Sequence, residues 1–517
     1  MFKLVSTAPN LLWSHATKAI IPIGICLVSA AYLGMTVHNK SFSTDKSIPI
    51  ASLRPGDTTH DNEYDEDQDA FLERCQAQYG EVFNVYLMNK CMTVVSGPFI
   101  REVFMNDSFN SMDALDEMTG IRAFILSMSK SNHEVDSPEI HGIVRDNITP
   151  DLPKYTASIV AQLEMCLDKE MAKYNKSEDG TVLVEKPILV VEEMVANAMA
   201  NVFVGPQIAK NRHVLDSFIT AAIDFGEMLG GGEVRKKSFW RTFLDNAGHK
   251  VMSPLQRHVK ILFDAATPVV LERCRLEQEA NTEGQDVCGH LVTLVLASVH
   301  TTSDTSTNIL YHLAAYPDCI DRLFEEQQEV LDTIQEEREQ QRQARTSKGE
   351  PIPEDLNPQE DRALSATAIK RMVHMDSFVR EMFRCRTDRL SLNHRSRRNA
   401  MLSNGMVISK GSTIIINMKS AHQSPTQGED VGKFRPWRFV GKSKAATKAG
   451  ADFLPFGMGK HACPGRFLAI QQLKIIGALA VSRYSKIEMQ DPSKTQKIIR
   501  GVVGTPCLSG LIFTCRQ

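Results

Sequence analysis

The sequence FGMGKHACPGRF, residues 456–467, places a single cysteine in a glycine-rich turn directly before a helix-forming segment. Gly457 and Gly459 precede Cys463, and Gly465 follows it. Glycine is favoured where the backbone turns sharply or closely approaches a bulky group. A cysteine in such a turn can be a ligand, a nucleophile or a small buried hydrophobic residue. The rest of the chain has to distinguish these roles.

The composition predicts a large soluble body. The chain has 517 residues, of which 42% are hydrophobic and 23% are charged, and its net charge is −3. The chain has no overall basic excess, so its charge does not favour nucleic acid as a partner. The eleven cysteines are scattered and include no Cys-x-x-Cys pair. This pattern argues against a disulfide framework or a zinc site, and it favours a reducing compartment for the main body.

One segment departs from this soluble composition. After the N-terminal residues 1–18, residues 19–37 (AIIPIGICLVSAAYLGMTV) contain no charge. At about 1.5 Å per residue, a helix of this length nearly crosses a hydrocarbon core of about 30 Å. The apolar run is longer than that of a typical signal peptide, and no clear cleavage site follows it. It therefore predicts a retained membrane anchor, whose orientation the lysines on both sides leave open.

The remainder is predicted to be a polar connector, residues 38–70, followed by one mainly α-helical domain with small β elements, residues 71–517. The stretch EVFNVYLMNKCMTVVSGP, residues 81–98, alternates as a β-hairpin does, and residues 405–418 contain two short strand patterns. No internal repeat and no linker divides this body, so a single large domain is the simplest interpretation.

Helical patterns dominate between these strands. Residues 155–174 predict a helix, and residues 286–317 predict a long, mostly buried helix that ends before Pro317. The charge-rich residues 333–362 predict the end of a helix and a proline-containing surface loop.

The turn around the cysteine matches a family signature. Phe456-x-x-Gly459-x-His461-x-Cys463-x-Gly465 resembles the haem-binding signature of cytochrome P450 enzymes at every defined position. A thiolate binds iron strongly, and the positive end of the following helix favours an anionic sulfur. The resemblance implies that Cys463 ligates the iron of haem b. The two glycines before it are expected to turn N–H groups toward the sulfur, and Gly465 is expected to leave room for a flat macrocycle.

A second signature lies in DSFVREMFR, where Glu381 and Arg384 are three residues apart and therefore on one helix face. In the P450 family such a pair joins a downstream arginine in a buried network. The stretch FRPWRF offers Arg438, preceded by Trp437 where many members have glutamate. The resemblance implies a structural role for all three residues. Loss of any one is predicted to impair folding or haem retention, because an unpaired buried charge is costly.

The long helix carries a third resemblance. ASVHTTSDT, residues 297–305, resembles the oxygen-activation segment of the family, with Thr301 at the threonine position and Ser298 in place of a glycine. His300 stands where an acid is commonest, in a His-Thr-Thr order that resembles fungal members. The resemblance implies that Thr301 binds dioxygen and relays protons, and histidine can shuttle protons near neutral pH. The alternative for the Thr301 hydroxyl is a hydrogen bond to a carbonyl one turn earlier.

Haem propionates need cationic or hydrogen-bonding partners. HGIVR places His141 and Arg145 four residues apart on one helix face, and it resembles the aromatic-x-x-x-Arg pair of the family. The resemblance adds His461 and, less strongly, Arg395 as further partners. The alternative for each residue is an ordinary surface pair.

The P450 resemblance implies a mainly helical fold with a smaller sheet region. It implies insertion of one oxygen atom from O2 into an apolar substrate, with a terpenoid or another secondary metabolite as the first candidate. Electrons would come from NADPH through a separate NADPH–cytochrome P450 reductase, at the cytosolic face of the endoplasmic reticulum membrane. Three alternatives stay open: a family member that desaturates, rearranges or couples its substrate, a non-catalytic haem-binding membrane protein, and a membrane-anchored scaffold without a cofactor.

Overall fold

The computed structural model describes residues 48–119, 138–228, 257–258, 260–262, 264–269, 284–353, 356, 362–385, 389–495, 498 and 509–517. The segment predicted as an anchor, residues 19–37, lies outside these ranges. Within them, no helix is both long enough and apolar enough to cross a membrane.

Helices make up most of the described chain. In chain order, the α-helices are α1 (Asp61–Glu66), α2 (Gln68–Tyr79), α3 (Phe99–Met105), α4 (Ser111–Thr119), α5 (Pro138–Ile143), α6 (Leu152–Met171), α7 (Pro187–Phe203), α8 (Gly205–Ala209), α9 (Arg212–Met228), α10 (Gly284–Ala315), α11 (Asp318–Ser347), α12 (Ala366–Arg371), α13 (Val373–Cys385), α14 (Met418–His422) and α15 (Arg466–Arg483). A π-helical turn, Val144–Ile148, directly continues α5.

The strands are short. They are β1 (Val82–Leu87), β2 (Lys90–Val95), β3 (Phe109–Asn110), β4 (Thr181–Val184), β5 (Leu390–Ser396), β6 (Ala400–Met401), β7 (Val407–Ile408), β8 (Thr413–Asn417), β9 (Tyr484–Met489) and β10 (Leu511–Cys515). The predicted fold class, mainly α with small sheets, is therefore confirmed.

The described chain forms two compact units. The first contains residues 48–95 and Arg395–Ile414, and the second contains Ser96–His394 and Ile415–Gln517. The boundaries fall directly after β2, within β5 and within β8.

The first unit contains the predicted hairpin. β1 pairs antiparallel with β2, from Val82 opposite Val95 to the two-residue turn at Met88 and Asn89. The φ angles of these turn residues are 51° and 58°. Left-handed values at both central positions match the right-handed twist of the flanking strands, so this turn favours the hairpin.

Part of the segment predicted as a solvated connector is folded. α1 and the start of α2 form within the acidic residues 61–69. His60 is 1% exposed, and its Nδ1 accepts the Tyr86 N–H at 2.9 Å. Glu63 accepts two hydrogen bonds of 2.8 Å from Arg74. These partners lie later in the chain, so the local charge pattern does not reveal that the segment is ordered.

The second unit holds a three-stranded antiparallel sheet in the order β4-β10-β9. Leu511 on β10 lies opposite Val184 on β4 and opposite Met489 on β9. All three side chains are buried and belong to the main hydrophobic core, together with residues of α6, α7, α10 and α15. The last strand of the chain thus joins the sheet to the helical core.

The two helices that bear on the candidate site are α10 and α15, which pack against each other. α10 confirms the predicted long helix and ends before Pro317. At Gly477 on α15, an added Cβ would lie 2.8 Å from Met375 Sδ of α13 and 3.7 Å from Ile309 Cγ2 of α10. Glycine at this point therefore allows three helices to approach closely.

The other sequence predictions for regular structure also hold. Residues 155–174 lie largely in α6, and the charge-rich stretch begins within α11, which continues to Ser347. Residues 405–418 contain β7 and β8, and β7 pairs with β6.

Candidate functional site

Cys463 lies between a 3₁₀ turn, Gly459–His461, and the first residue of α15, Arg466. Its N–H donates a hydrogen bond of 2.7 Å to Phe456 O, which closes the loop. The Phe456 ring packs edge-on against Phe383, with 5.3 Å between the ring centroids. The prediction of a helix directly after the cysteine is therefore confirmed.

The glycines before the cysteine are required by the backbone. Gly457 and Gly459 have φ angles of 63° and 65°, a left-handed conformation that disfavours other residues. A side chain at Gly459 would also approach Met105 Sδ to 3.2 Å. The N–H of Gly457 donates to Leu454 O at 2.9 Å and therefore stabilises the turn. Contrary to the prediction, it does not point at the sulfur.

The N–H groups that face the sulfur belong to the two residues at the start of the helix, Gly465 and Arg466. Desolvation is the largest effect on Cys463 and raises the pKa of its thiol, while these two N–H groups and the Arg466 charge lower it. Arg466 Nη1 also donates to Cys463 O at 2.9 Å. A metal ion deprotonates a bound thiol outright, so the arrangement suits a metal-bound sulfur.

The space beside the sulfur fits a bulky group. Gly465 has a φ of −78°, which any residue can adopt. Among the described atoms outside its chain neighbours, the Cys463 Sγ alone would lie within 4 Å of an added Cβ, at 3.9 Å. Neither the backbone nor the protein packing therefore requires glycine here. Among the described residues, the missing side chain therefore leaves space beside the exposed Cys463, as a bound flat macrocycle would need.

The structure brings Glu381, Arg384 and Arg438 together. Arg384 Nε and Nη2 each donate to the Glu381 carboxylate at 2.7 Å. Arg438 Nε and the Arg435 N–H donate to the same carboxylate at 2.9 and 2.8 Å. Glu381 is 0% exposed, so four charged or polar donors compensate one buried carboxylate.

The remaining guanidinium donors bind backbone carbonyls of the segment before Arg438. Arg384 donates to Val431 O at 2.5 Å and to Lys433 O at 2.9 Å. Arg438 donates to Glu429 O at 2.7 Å and also to Lys433 O at 2.9 Å. The network therefore fixes an irregular segment of chain, as well as pairing its own charges.

Thr301 is exposed on α10, and its hydroxyl donates to Ala297 O at 2.8 Å. Thr305 repeats this pattern one turn later, with a 2.8 Å bond to Thr301 O. The back-bonded alternative is thus present in the structure. This hydrogen bond uses only the proton of the Thr301 hydroxyl. The oxygen still has lone pairs that can accept a proton or a hydrogen bond.

His300 precedes Thr301 and is partly buried. Its Nδ1 is shielded from solvent and has no hydrogen-bond partner among the described residues. Buried polar nitrogens are normally hydrogen-bonded. An orphaned ring nitrogen next to Thr301 therefore suits a proton-handling role.

The proposed propionate partners are placed as follows. His141 lies in the last turn of α5, and Arg145 lies in the π turn after it. Arg145 is exposed and donates two bonds of 2.7 Å to its neighbour Asp146. Arg395 lies in the first unit and donates to Thr413 Oγ1 at 3.3 Å. The side chain of His461 lies outside the described residues, and the role of all four partners stays a prediction.

Comparison with known protein families identifies the family and its fold. The family model described as cytochrome P450 matches residues 60–347 and 354–509. The chain belongs to the cytochrome P450 family. The matched residues include the cysteine loop, the Glu381 network and the Thr301 segment. P450 enzymes use haem and O2 with a redox partner, so the class of cofactor predicted from the sequence follows from the family.

Fungal relatives agree with this assignment. The P450 is 24% identical over 454 residues to cytochrome P450 monooxygenase 151 of Postia placenta (strain ATCC 44394 / Madison 698-R), covering 80% of this chain and 82% of that one. It is 24% identical over 392 residues to cytochrome P450 monooxygenase paxP of Penicillium paxilli, covering 69% of each chain. A shorter match, 31% over 215 residues, is to cytochrome P450 monooxygenase phqO of Penicillium fellutanum, covering 40% and 42%. The chain is a fungal-type P450 and an oxidoreductase.

The sequence analysis missed a buried arginine of this P450. Arg380 precedes Glu381, is 1% exposed and donates to Ala445 O at 2.7 Å and to Lys448 O at 3.0 Å. Its guanidinium lies 3.7 Å from the ring centroid of Phe453. Desolvation lowers its pKa to about 10. Its partners lie more than sixty residues later in the chain, and no local pattern marks it as buried.

Proposed function

We propose that this P450 is a haem-thiolate monooxygenase that inserts one oxygen atom from O2 into an apolar substrate, by hydroxylation or epoxidation. The first candidate class is a terpenoid or another secondary metabolite. The observation that carries the proposal is Cys463: an exposed cysteine beside a glycine that the described protein atoms do not require, with its sulfur facing the N–H groups of Gly465 and Arg466. Haem b held by this sulfur would supply the oxygen-activating redox chemistry.

Each candidate residue has a distinct task in this proposal. Gly465 and Arg466 would stabilise negative charge on the sulfur through their N–H groups. Such hydrogen bonds to a ligand adjust the electronic properties of the metal that it binds. Thr301 would accept a proton or a hydrogen bond on its free lone pairs. The Nδ1 of His300, the residue that precedes Thr301, would supply or store a proton.

The propionates would be bound by His141, Arg145, His461 and Arg395. Guanidinium groups bind carboxylates through two parallel hydrogen bonds. Arg145 already does so with Asp146, so it would have to exchange this partner or share its donors. The exchange is feasible because both side chains are solvent-exposed, where an ion pair is weak.

Electrons would come from NADPH through a separate NADPH–cytochrome P450 reductase. The family's use of a redox partner supports this. The uncharged run at residues 19–37 supports a single-pass anchor in the endoplasmic reticulum membrane, with the catalytic part in the cytosol. Membrane extraction at high pH tests the anchor: the full chain should stay in the pellet, and a chain lacking residues 1–40 should be released.

The decisive test of the cysteine is the spectrum of the ferrous protein with carbon monoxide. The full chain should show the strongly red-shifted Soret band of thiolate-bound haem. Cys463→Ser should lose that band, whereas Cys91→Ser, a half-buried cysteine in the first unit, should keep it. A wild-type protein without the band, or a Cys463→Ser protein that retains it, would contradict the proposal.

The reaction type is tested by expression with a reductase and a panel of terpenoids, followed by product mass. A gain of one oxygen supports hydroxylation or epoxidation. A loss of two hydrogens supports the desaturase alternative. Haem-loaded protein that yields no NADPH-dependent product from any substrate of the panel favours the non-catalytic alternative.

A further inference from the structure

We infer that His422 is a positioning residue, which links the Glu381 network to the Cys463 loop through one backbone oxygen and one ring nitrogen. Its contacts are independent of the cofactor, and only the expected effect on haem rests on the proposed function. Neither the signature motifs nor the family comparison singles out this residue.

The backbone of His422 belongs to the buried network. His422 is the last residue of α14 and is 1% exposed. Its carbonyl oxygen accepts a hydrogen bond of 3.2 Å from Arg384 Nη1. Arg384 in turn holds the Glu381 carboxylate. The position of the His422 backbone is therefore coupled to the ion pair on α13.

The ring of His422 points to a different segment, the one that enters the cysteine loop. Its Nε2 accepts the Leu454 N–H at 2.9 Å. Leu454 O accepts the Gly457 N–H at 2.9 Å, and Phe456 O accepts the Cys463 N–H at 2.7 Å. A continuous series of hydrogen bonds and two short chain segments thus leads from Arg384 to Cys463.

Packing holds the same segment. The His422 ring lies 5.7 Å from the Phe453 ring, at an interplanar angle of 24°. The Arg380 guanidinium also lies over Phe453, at 3.7 Å from its centroid. Phe453 and Leu454 are both 0% exposed. Without an acceptor at Nε2, the Leu454 N–H would be buried and unsatisfied, which is costly.

The His422 Nε2 can accept a hydrogen bond only while it carries no proton. The link therefore depends on the pKa of the ring. The charged groups around His422 are Arg384 and Arg380 on α13, which disfavour a cation, and Asp452, which favours one. Desolvation is the largest effect, and together they lower the pKa of His422 to about 3. The ring therefore stays neutral around physiological pH and acts as a fixed link, not as a switch.

Two substitutions separate the acceptor from the ring. His422→Phe keeps an aromatic ring beside Phe453 but removes the acceptor, and His422→Gln keeps an acceptor without the ring. Hydrogen–deuterium exchange of the full chain, followed at residues 451–456, reports directly on the Leu454 N–H. We expect exchange there to be about ten- to a hundredfold faster in His422→Phe and close to wild type in His422→Gln.

The second readout is the ferrous–carbon monoxide spectrum. His422→Phe should lose part of the red-shifted band, because the loop that holds Cys463 becomes less constrained, and His422→Gln should restore it. His312→Phe is the matched control. His312 is also 1% exposed, but its ring donates to Asn308 O of its own helix at 2.7 Å. It should lower stability without changing either readout.

Three outcomes would overturn the inference: wild-type exchange at residues 451–456 in His422→Phe, a His422→Gln protein as defective as His422→Phe, or the same changes in His312→Phe. If His422→Phe does not fold, hydrogen–deuterium exchange of the wild-type protein still tests the inference. Its Leu454 N–H must then exchange as slowly as the amides of the α15 core, and fast exchange would refute the link. A protected Leu454 in a protein without the red-shifted band would instead refute the proposed function alone.

Discussion

Arg384 donates two hydrogen bonds of 2.7 Å to Glu381, and neither side chain is exposed to solvent. A buried ion pair is weak evidence of net stability, because desolvation offsets the attraction. Removing one partner is different, since it leaves a buried charge without compensation. Here the carboxylate also binds Arg438 and the Arg435 N–H, so its loss affects four donors at once.

We therefore expect Glu381→Gln to lower the free energy of unfolding by about 3–5 kcal/mol. The neutral amide cannot compensate two buried guanidinium groups. Urea unfolding of the full chain and the haem content of the purified protein measure the effect. Glu337→Gln, which breaks the surface pair with Arg371, is the control and should be close to wild type. Similar losses in the two variants would contradict the prediction.

Thr301→Ala is expected to retain haem and to divert electrons from product to peroxide or water. Only the hydroxyl is lost, and with it the free lone pairs that the proposal assigns to proton handling. Product formed per NADPH consumed should fall by about tenfold or more.

Thr305→Ala is the matched control for this measurement. It removes a hydroxyl with the same 2.8 Å bond to a carbonyl of α10, one turn later. If its coupling falls as far as that of Thr301→Ala, or if coupling in Thr301→Ala is unchanged, helix distortion and not proton handling explains the data.

Gly477→Ala tests the close approach of α10, α13 and α15. Alanine normally favours a helix over glycine by about 1 kcal/mol. At this position its Cβ would lie 2.8 Å from Sδ and 2.9 Å from Cε of Met375, which is 1% exposed and would have to shift within the core. We expect a net loss of about 1–3 kcal/mol in the free energy of unfolding.

Gly142→Ala provides the comparison for that substitution. Gly142 is also helical, and among the described residues the nearest atom to its added Cβ would be Asp146 Oδ2, at 3.8 Å. It should be neutral or stabilising in the same urea experiment. A stabilised Gly477→Ala protein would show that the three helices are not constrained at their crossing.

Glu192→Gln should change how stability depends on pH. Glu192 on α7 is 6% exposed, and desolvation, followed by the charge of Asp304, raises its pKa from 4.5 to about 7. Between these two values the folded protein holds a proton that the unfolded chain releases. The contribution of this carboxyl to the free energy of unfolding therefore decreases as pH rises through that window, and it stays at the lower value above it.

The amide cannot ionise, so Glu192→Gln should be more stable than wild type at pH 8, by up to about 3 kcal/mol, and much less so at pH 5. Urea unfolding at both pH values measures this difference. A stability offset that is equal at pH 5 and pH 8 would show that Glu192 does not titrate in this range.

Local spacing was sufficient to find the main elements of the candidate site. The cysteine turn, the three-residue spacing of Glu381 and Arg384, and the apolar period of the long helix are each contained within one segment. The structure places each where its pattern predicts: a loop before α15, one face of α13, and α10. Short-range geometry depends on backbone propensity and side-chain period, which neighbouring residues determine.

Burial of charged and polar side chains could not be predicted in the same way. The acidic run at residues 61–69 resembles a solvated connector, yet Glu63 is buried against Arg74. Arg380 resembles any arginine on an amphipathic helix, yet it is buried and lies over the Phe453 ring. Whether such a group is exposed depends on partners that only the tertiary fold brings close.

The sequence by itself determined the mainly helical class, the hairpin, the long helix and the cysteine before a helix, because each follows from residues close in the chain. Only the tertiary structure decided that Arg380 lies over the Phe453 ring and that His422 meets Leu454, 32 residues away. Hydrogen bonds and close packing act over a few ångströms of space. Residues far apart in sequence enter that range only after the chain has folded.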